Sequence, residues 1–182
     1  FPKWAWSTFF SLEARKNDSA KLCVLIARRL LTYSEENLSK IVNEITLWLS
    51  NVSKTLQEFC PSILNDLFRK CISIIKTEMS QETILMSGNK TDFWIEAYSS
   101  PVGHISDAII QASIKSDNGF SDKWISHINS LLATDSKTRK YALACFSRHL
   151  NWTYAYSPDW AEANIIPALL GNDKEEYRAA WD

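Results

Sequence analysis

Glycine and proline are scarce, at 4 and 5 of 182 residues, too few for a loop-rich all-β chain or a collagen-like one. The glycines, Gly88, Gly103, Gly119 and Gly171, stand too far apart for a G-x-G-x-x-G turn or a P-loop. Phosphate cradles built from clustered backbone amides are thereby excluded. Histidine is rarer still. His104, His127 and His149 are more than 20 residues apart, so no helix face carries a zinc-binding pair. Neither C-x-x-C nor G-x-S-x-G occurs. No apolar run approaches the ~18 residues of a membrane span. An excess of one charge is also missing: 20 Lys and Arg face 21 Asp and Glu, for a net of -1. That balance argues against a strongly basic nucleic-acid module.

What is present suffices for a core. Hydrophobic residues make up 46% of the chain, and a chain of this size hides roughly 70% of its extended surface on folding. The apolar residues recur at helical spacing. Leu22, Cys23, Ile26, Leu30 and Leu31 form one stripe, preceded by Asn17-Asp18-Ser19 as a cap. Ser34 opens a helix carrying Leu38, Ile41, Val42, Ile45, Trp48, Leu49 and Val52. Pro61 suits a first helical position and leads a stripe from Ile63 to Ile75. Residues 80–92 read as a loop around Gly88-Asn89, and Asn118-Gly119 reads as a turn. A short helix holds Phe93, Trp94 and Tyr98; Pro101 and Gly103 break it, and Ile105 starts the next. Alternation at Trp152, Tyr154 and Tyr156 suggests a linker between helices. The expectation is an all-α chain of about 8–9 helices with essentially no sheet.

Residues 121–182 contain a weak internal repeat. Leu131-Leu132-Ala133-Thr134-Asp135 followed by Lys140 aligns with Leu169-Leu170-Gly171-Asn172-Asp173 followed by Arg178, at an offset of 38 residues. The same offset pairs Ile128 with Ile166 and Ala142 with Ala180. Such a period marks arrays of helical hairpins, in which each unit buries its apolar face only by stacking on a neighbour. Ile165-Ile166-Pro167-Ala168-Leu169-Leu170, then Asp173, then Arg178-Ala179-Ala180 resembles the HEAT repeat pattern. The resemblance covers about a third of the chain. It implies an α-solenoid in which Pro167 bends a first helix while Asp173 and Arg178 join successive repeats. The upstream unit has Asn129 in place of the proline, the spacing from Asp to the basic residue is one short, and the period does not extend into residues 1–115. The chain therefore reads as a single all-α segment, irregular over 1–115 and with two HEAT-like hairpins over 121–182. The Trp-rich stretch from His149 to Trp181 is also similar to the C-terminal helical regions of bacterial sirtuin-type anti-phage defence proteins.

The chain opens at Phe1-Pro2-Lys3 and closes at Trp181-Asp182 inside a helical pattern, which reads as a piece of a longer protein. Cys23, Cys60, Cys71 and Cys145 read as reduced thiols of a cytoplasmic protein, and five N-x-S/T triplets as chance in a Ser- and Thr-rich chain. Cys145 and His149, one helical turn apart, have the composition of an activated thiol, but core packing explains them better. Two groups remain as candidate surfaces. Trp152, Tyr154, Trp160 and Trp181 are candidates for binding a protein partner. Lys137, Arg139, Lys140 and Arg148, in a 135–150 segment of net charge +3 beside a 151–182 segment of net -4, are candidates for phosphate contacts. The function these features imply is a non-catalytic helical scaffold or sensor segment of a larger multidomain protein. It would contact a protein partner or an adjoining domain, use no cofactor or metal, and associate with itself through its C-terminal edge. The alternative is a helical array contacting nucleic-acid phosphates.

Overall fold

A computed structural model describes residues 3–11, 15, 18–79, 93–113, 122–134, 137–171 and 174–181. Among these residues the regular structure is all helical, with no strand. The order is α1 (Lys3–Phe9), α2 (Ala20–Leu31), α3 (Glu35–Ser39), α4 (Val42–Phe59), α5 (Pro61–Met79), α6 (Phe93–Tyr98) and α7 (Pro101–Ser113). Then follow α8 (Asp122–Leu132), α9 (Lys137–Arg148), α10 (Leu150–Tyr156), α11 (Pro158–Asn164), α12 (Ile166–Leu169) and α13 (Lys174–Trp181). No helix among the described residues is long and apolar enough to cross a membrane.

Local chemistry sets many of the boundaries. Ser19 accepts the Leu22 amide at 3.3 Å and Ser34 the Asn37 amide at 3.3 Å, each satisfying an orphan donor at a helix start. Pro61 and Pro101 begin α5 and α7, where a missing N–H costs nothing. The short helix ends at Tyr98 as expected, but α7 starts at Pro101 and not at Ile105, so Gly103 lies inside it. A Cβ at this position would sit 2.3 Å from the Ala97 carbonyl oxygen and 2.6 Å from the Tyr98 Cα. The tight corner between α6 and α7 therefore admits only glycine.

The thirteen helical segments among the described residues exceed the expected eight or nine because interruptions of one or two residues divide continuous apolar stripes. The stripe from Leu38 to Val52 is cut at Lys40 and Ile41, and α11 gives way to α12 at Ile165, just before Pro167. Residues 150–156 form α10 and not a linker: Trp152 and Tyr156 meet across one turn, ring centroids 5.4 Å apart. An alternation of three residues is too short to separate period two from a helix that exposes most of its surface. The loop expected over 80–92, the Asn118-Gly119 turn, and Asp135 and Asp173 lie outside the described residues.

One core runs from Phe10 to Ala168. The helix α4 packs chiefly on α7 and supplies Ile45, Trp48, Leu49 and Leu56. Leu64, Leu67 and Phe68 of α5 meet Trp124 and Ile128 of α8 in the same interior. Every residue from Tyr141 to Phe146 is buried, so the middle of α9, between its basic ends, is enclosed on every side. It touches α5, α6, α7, α8, α10 and α13. Truncating a fully buried ring such as Trp48 or Trp124 would cost about 3–5 kcal/mol.

Candidate functional site

The aromatic candidates separate by environment. Trp160 is 9% exposed and donates its indole N–H to Asn129 Oδ1 at 2.8 Å, so its ring belongs to the interior and links α11 to α8. Trp152 is half-buried. Tyr154 is exposed, and its hydroxyl donates to Glu162 at 2.8 Å. Trp181 is 63% exposed although its N–H reaches the Leu169 carbonyl at 3.1 Å. Tyr177, one turn earlier on α13, is also exposed, its ring 6.2 Å from the Trp181 ring, and Leu170 just before α13 is exposed too.

The basic candidates are largely engaged within the fold. Lys137 Nζ lies 2.9 Å from Glu96 Oε1, which also accepts the Tyr141 hydroxyl, so one carboxylate ties α6 to α9. The Tyr141 hydrogen bond, followed by Lys137, holds the Glu96 carboxyl below its ordinary range. Arg139 pairs with Glu176 and donates to the Leu132 carbonyl at 2.7 Å. This bridges α9 to α13 and caps the end of α8. The Arg148 guanidinium stands 4.0 Å over the Trp94 ring. Lys140 is half-buried on the same helix.

Cys145 and His149 have a neighbour that spacing did not disclose. Asp107 of α7 lies within electrostatic reach of both. The set has the composition of a cysteine triad but not its electrostatics. Burial, reinforced by Asp107, pushes the Cys145 thiol up to about 12, while burial pushes the His149 imidazole down. A thiol buried beside a carboxylate is held in its unreactive form. All four cysteines are free, and Cys71 is likewise pushed up to about 12 by burial. No group of three or more His, Cys, Asp or Glu able to hold a metal occurs among the described residues.

Two grooves went unread in the sequence. The first, of about 470 Å³, lies between α1 and α2 and is lined by Trp6, Phe9, Phe10, Leu25, Ile26 and Leu30. Its surroundings expose Trp4 at 73% and Leu25 at 53%. The second, of about 970 Å³, lies between α5 and α8. Arg69, Lys70, Lys76 and Lys123 line it against two carboxylates, Glu35 and Asp66. His127 borders it with a ring nitrogen 2.9 Å from Asn65 Oδ1. Arg69 and Lys76 stand two helical turns apart on α5, a spacing present in the sequence, whereas Lys123 is, among the described residues, the one Lys or Arg of the α8 wall. The pairing of the walls joins positions 62 residues apart and is not local. The chain matches no protein-family model, no curated protein and no solved structure.

Proposed function

We propose that this chain is a non-catalytic, HEAT-like helical scaffold segment of a larger multidomain protein, which it serves by contacting a protein partner or an adjoining domain. The observation that carries the reading is the apolar α1–α2 groove, with Trp4 and Leu25 standing open around it. Exposed apolar surface on a chain with a well-formed core marks a contact surface. Two links are consistent with an array arrangement: Trp160 to Asn129 joins α11 to α8, and Arg139 to Glu176 joins α13 to α9. The anti-phage association rests on the similarity of residues 149–181 alone. The nucleic-acid alternative has less support, because Lys137, Arg139 and Arg148 are engaged with Glu96, Glu176 and Trp94.

Photo-crosslinking in the full-length protein tests the scaffold reading. A photoreactive side chain at position 25 should form an adduct with an adjoining domain or a second polypeptide. The same side chain at exposed Lys40 should not. Equal yields at the two positions would defeat the reading.

A further inference from the structure

We infer that the groove between α5 and α8 is a binding site for a small ligand bearing several phosphate groups. The first support is charge. Four basic side chains against two carboxylates leave an excess of two positive charges in one groove of a chain whose net charge is -1. Both carboxylates already have partners: Asp66 pairs with Arg69, and Glu35 accepts the Ser73 hydroxyl at 3.4 Å. On the opposite wall, Lys123 makes no ion pair among the described residues; its ammonium reaches the Pro61 carbonyl at 3.3 Å and lies 5.4 Å from the Trp124 ring centroid. Lys76, two turns beyond Arg69 and so about 10 Å along α5, also has no carboxylate partner among the described residues.

The second support is that cations of the two walls act on each other across the groove. Arg69 lines it from α5 and Lys123 from α8, together with His127 and Asp66, and Asp66 offsets the Arg69–Lys123 repulsion. Burial, then Lys123, then Arg69 push the His127 imidazole down to about 4. Lys123 is itself pushed down by burial and by Arg69, against the pull of Asp66. An anion seated between the walls relieves that repulsion, and it would also find the Ser126 and Ser130 hydroxyls on α8.

The lining selects the kind of anion. It holds no Phe, Tyr or Trp, and its His127 ring is only 6% exposed while the Arg69 guanidinium is paired with Asp66, so it offers a base little surface to stack on. A polymer laid along α5 would pass both Asp66 and Glu35, whereas a compact polyphosphate fits between them. The recognised chemistry is thus the phosphate cluster and not a nucleobase or a continuous nucleic-acid backbone. Because the groove joins α5 to the α8–α9 hairpin, occupancy would brace the first part of the chain against the last. This inference stands apart from the scaffold reading, which rests on the α1–α2 groove.

Inorganic tripolyphosphate is the probe, titrated calorimetrically into the whole chain. Saturable binding with one site is expected, weakening as salt rises. Lys123→Gln and Lys76→Gln should each lower the affinity about tenfold. Lys21→Gln, on exposed α2 surface, should leave it unchanged. Lys76 makes no ion pair among the described residues, so its variant tests the site even if Lys123→Gln disturbs the fold. Absence of saturable binding, or an equal loss in Lys21→Gln, overturns the proposal. So does adenosine triphosphate binding more than about tenfold tighter than tripolyphosphate, because a base would then be read. A single-stranded oligonucleotide whose affinity grows with length while tripolyphosphate fails to bind would assign the groove to a polymer instead.

Discussion

His127 shows how a residue that looks isolated in sequence acquires a role from contacts far along the chain. Its ring packs edge-on to Phe68, with centroids 5.6 Å apart, and bonds Asn65, both on α5. Its neutrality has a consequence for stability. In the folded chain its imidazole titrates near 4, against about 6.5 when exposed. Between those values the unfolded chain holds a proton that the folded chain does not, so stability falls as pH drops through this window. The contribution is fully present above about pH 6.5 and gone below about pH 4. His127→Gln removes the titration while keeping a hydrogen-bonding side chain. The variant should be less stable than the parent at about pH 7, with the gap narrowing by about pH 4.5 as the parent loses its advantage. Urea midpoints at the two pH values measure this; a gap that stays constant would show that the imidazole does not titrate as described. The capping serines Ser19 and Ser34 were legible because caps are local. The Asp107 neighbourhood of Cys145 and the close approach at Gly103 were not, since both depend on which helices meet.

At the scale of elements, the long stripes of α2, α4 and α5 could be read from spacing because each buries one face against the core. The short segments could not. The breaks at residues 157 and 165 come just before Pro158 and Pro167, but those at 40–41 and 149 have no proline or glycine beside them to mark them. The basic segment 137–148 illustrates the same limit: its charge was evident, but its partners Glu96 and Glu176 lie 41 and 37 residues away. The Arg139–Glu176 pair is the strongest candidate for fastening α13 to α9. Both side chains are partly shielded, at 28% and 24% exposure, and the guanidinium is held in place by the Leu132 carbonyl. Restriction of this kind lowers the entropy lost on pairing, so the pair should exceed the usual surface value. A double-mutant cycle with Arg139→Ala and Glu176→Ala is expected to give a coupling of about 1 kcal/mol or more. A coupling within error of zero would mean that apolar contact alone seats α13.

For the whole molecule, the fold class was legible from composition and periodicity, while the surfaces that matter for function were not. A groove is a relation between elements: the spacing of Arg69 and Lys76 on α5 is local, but the pairing of α5 with α8, like that of α1 with α2, is not. The C-terminal edge is the exception, because Trp181 stood out in sequence and stands out in space. Leu170 at 75%, Tyr177 at 45% and Trp181 at 63% exposure leave large apolar side chains open near the C-terminal helix, and exposed apolar surface invites association. The hydrogen bond from Trp181 to Leu169 fixes the ring without burying it, which lowers the entropy a partner must overcome to dock there. The isolated 182-residue chain should therefore self-associate at high concentration through these side chains. Trp181→Ala should shift its sedimentation profile toward monomer while moving the melting midpoint by no more than about 2 °C, as befits a mostly exposed side chain. A large fall in melting temperature with an unchanged sedimentation profile would identify Trp181 as an internal staple of α13. No change in either would remove the edge from the interaction surfaces and leave the α1–α2 groove to carry the scaffold reading alone.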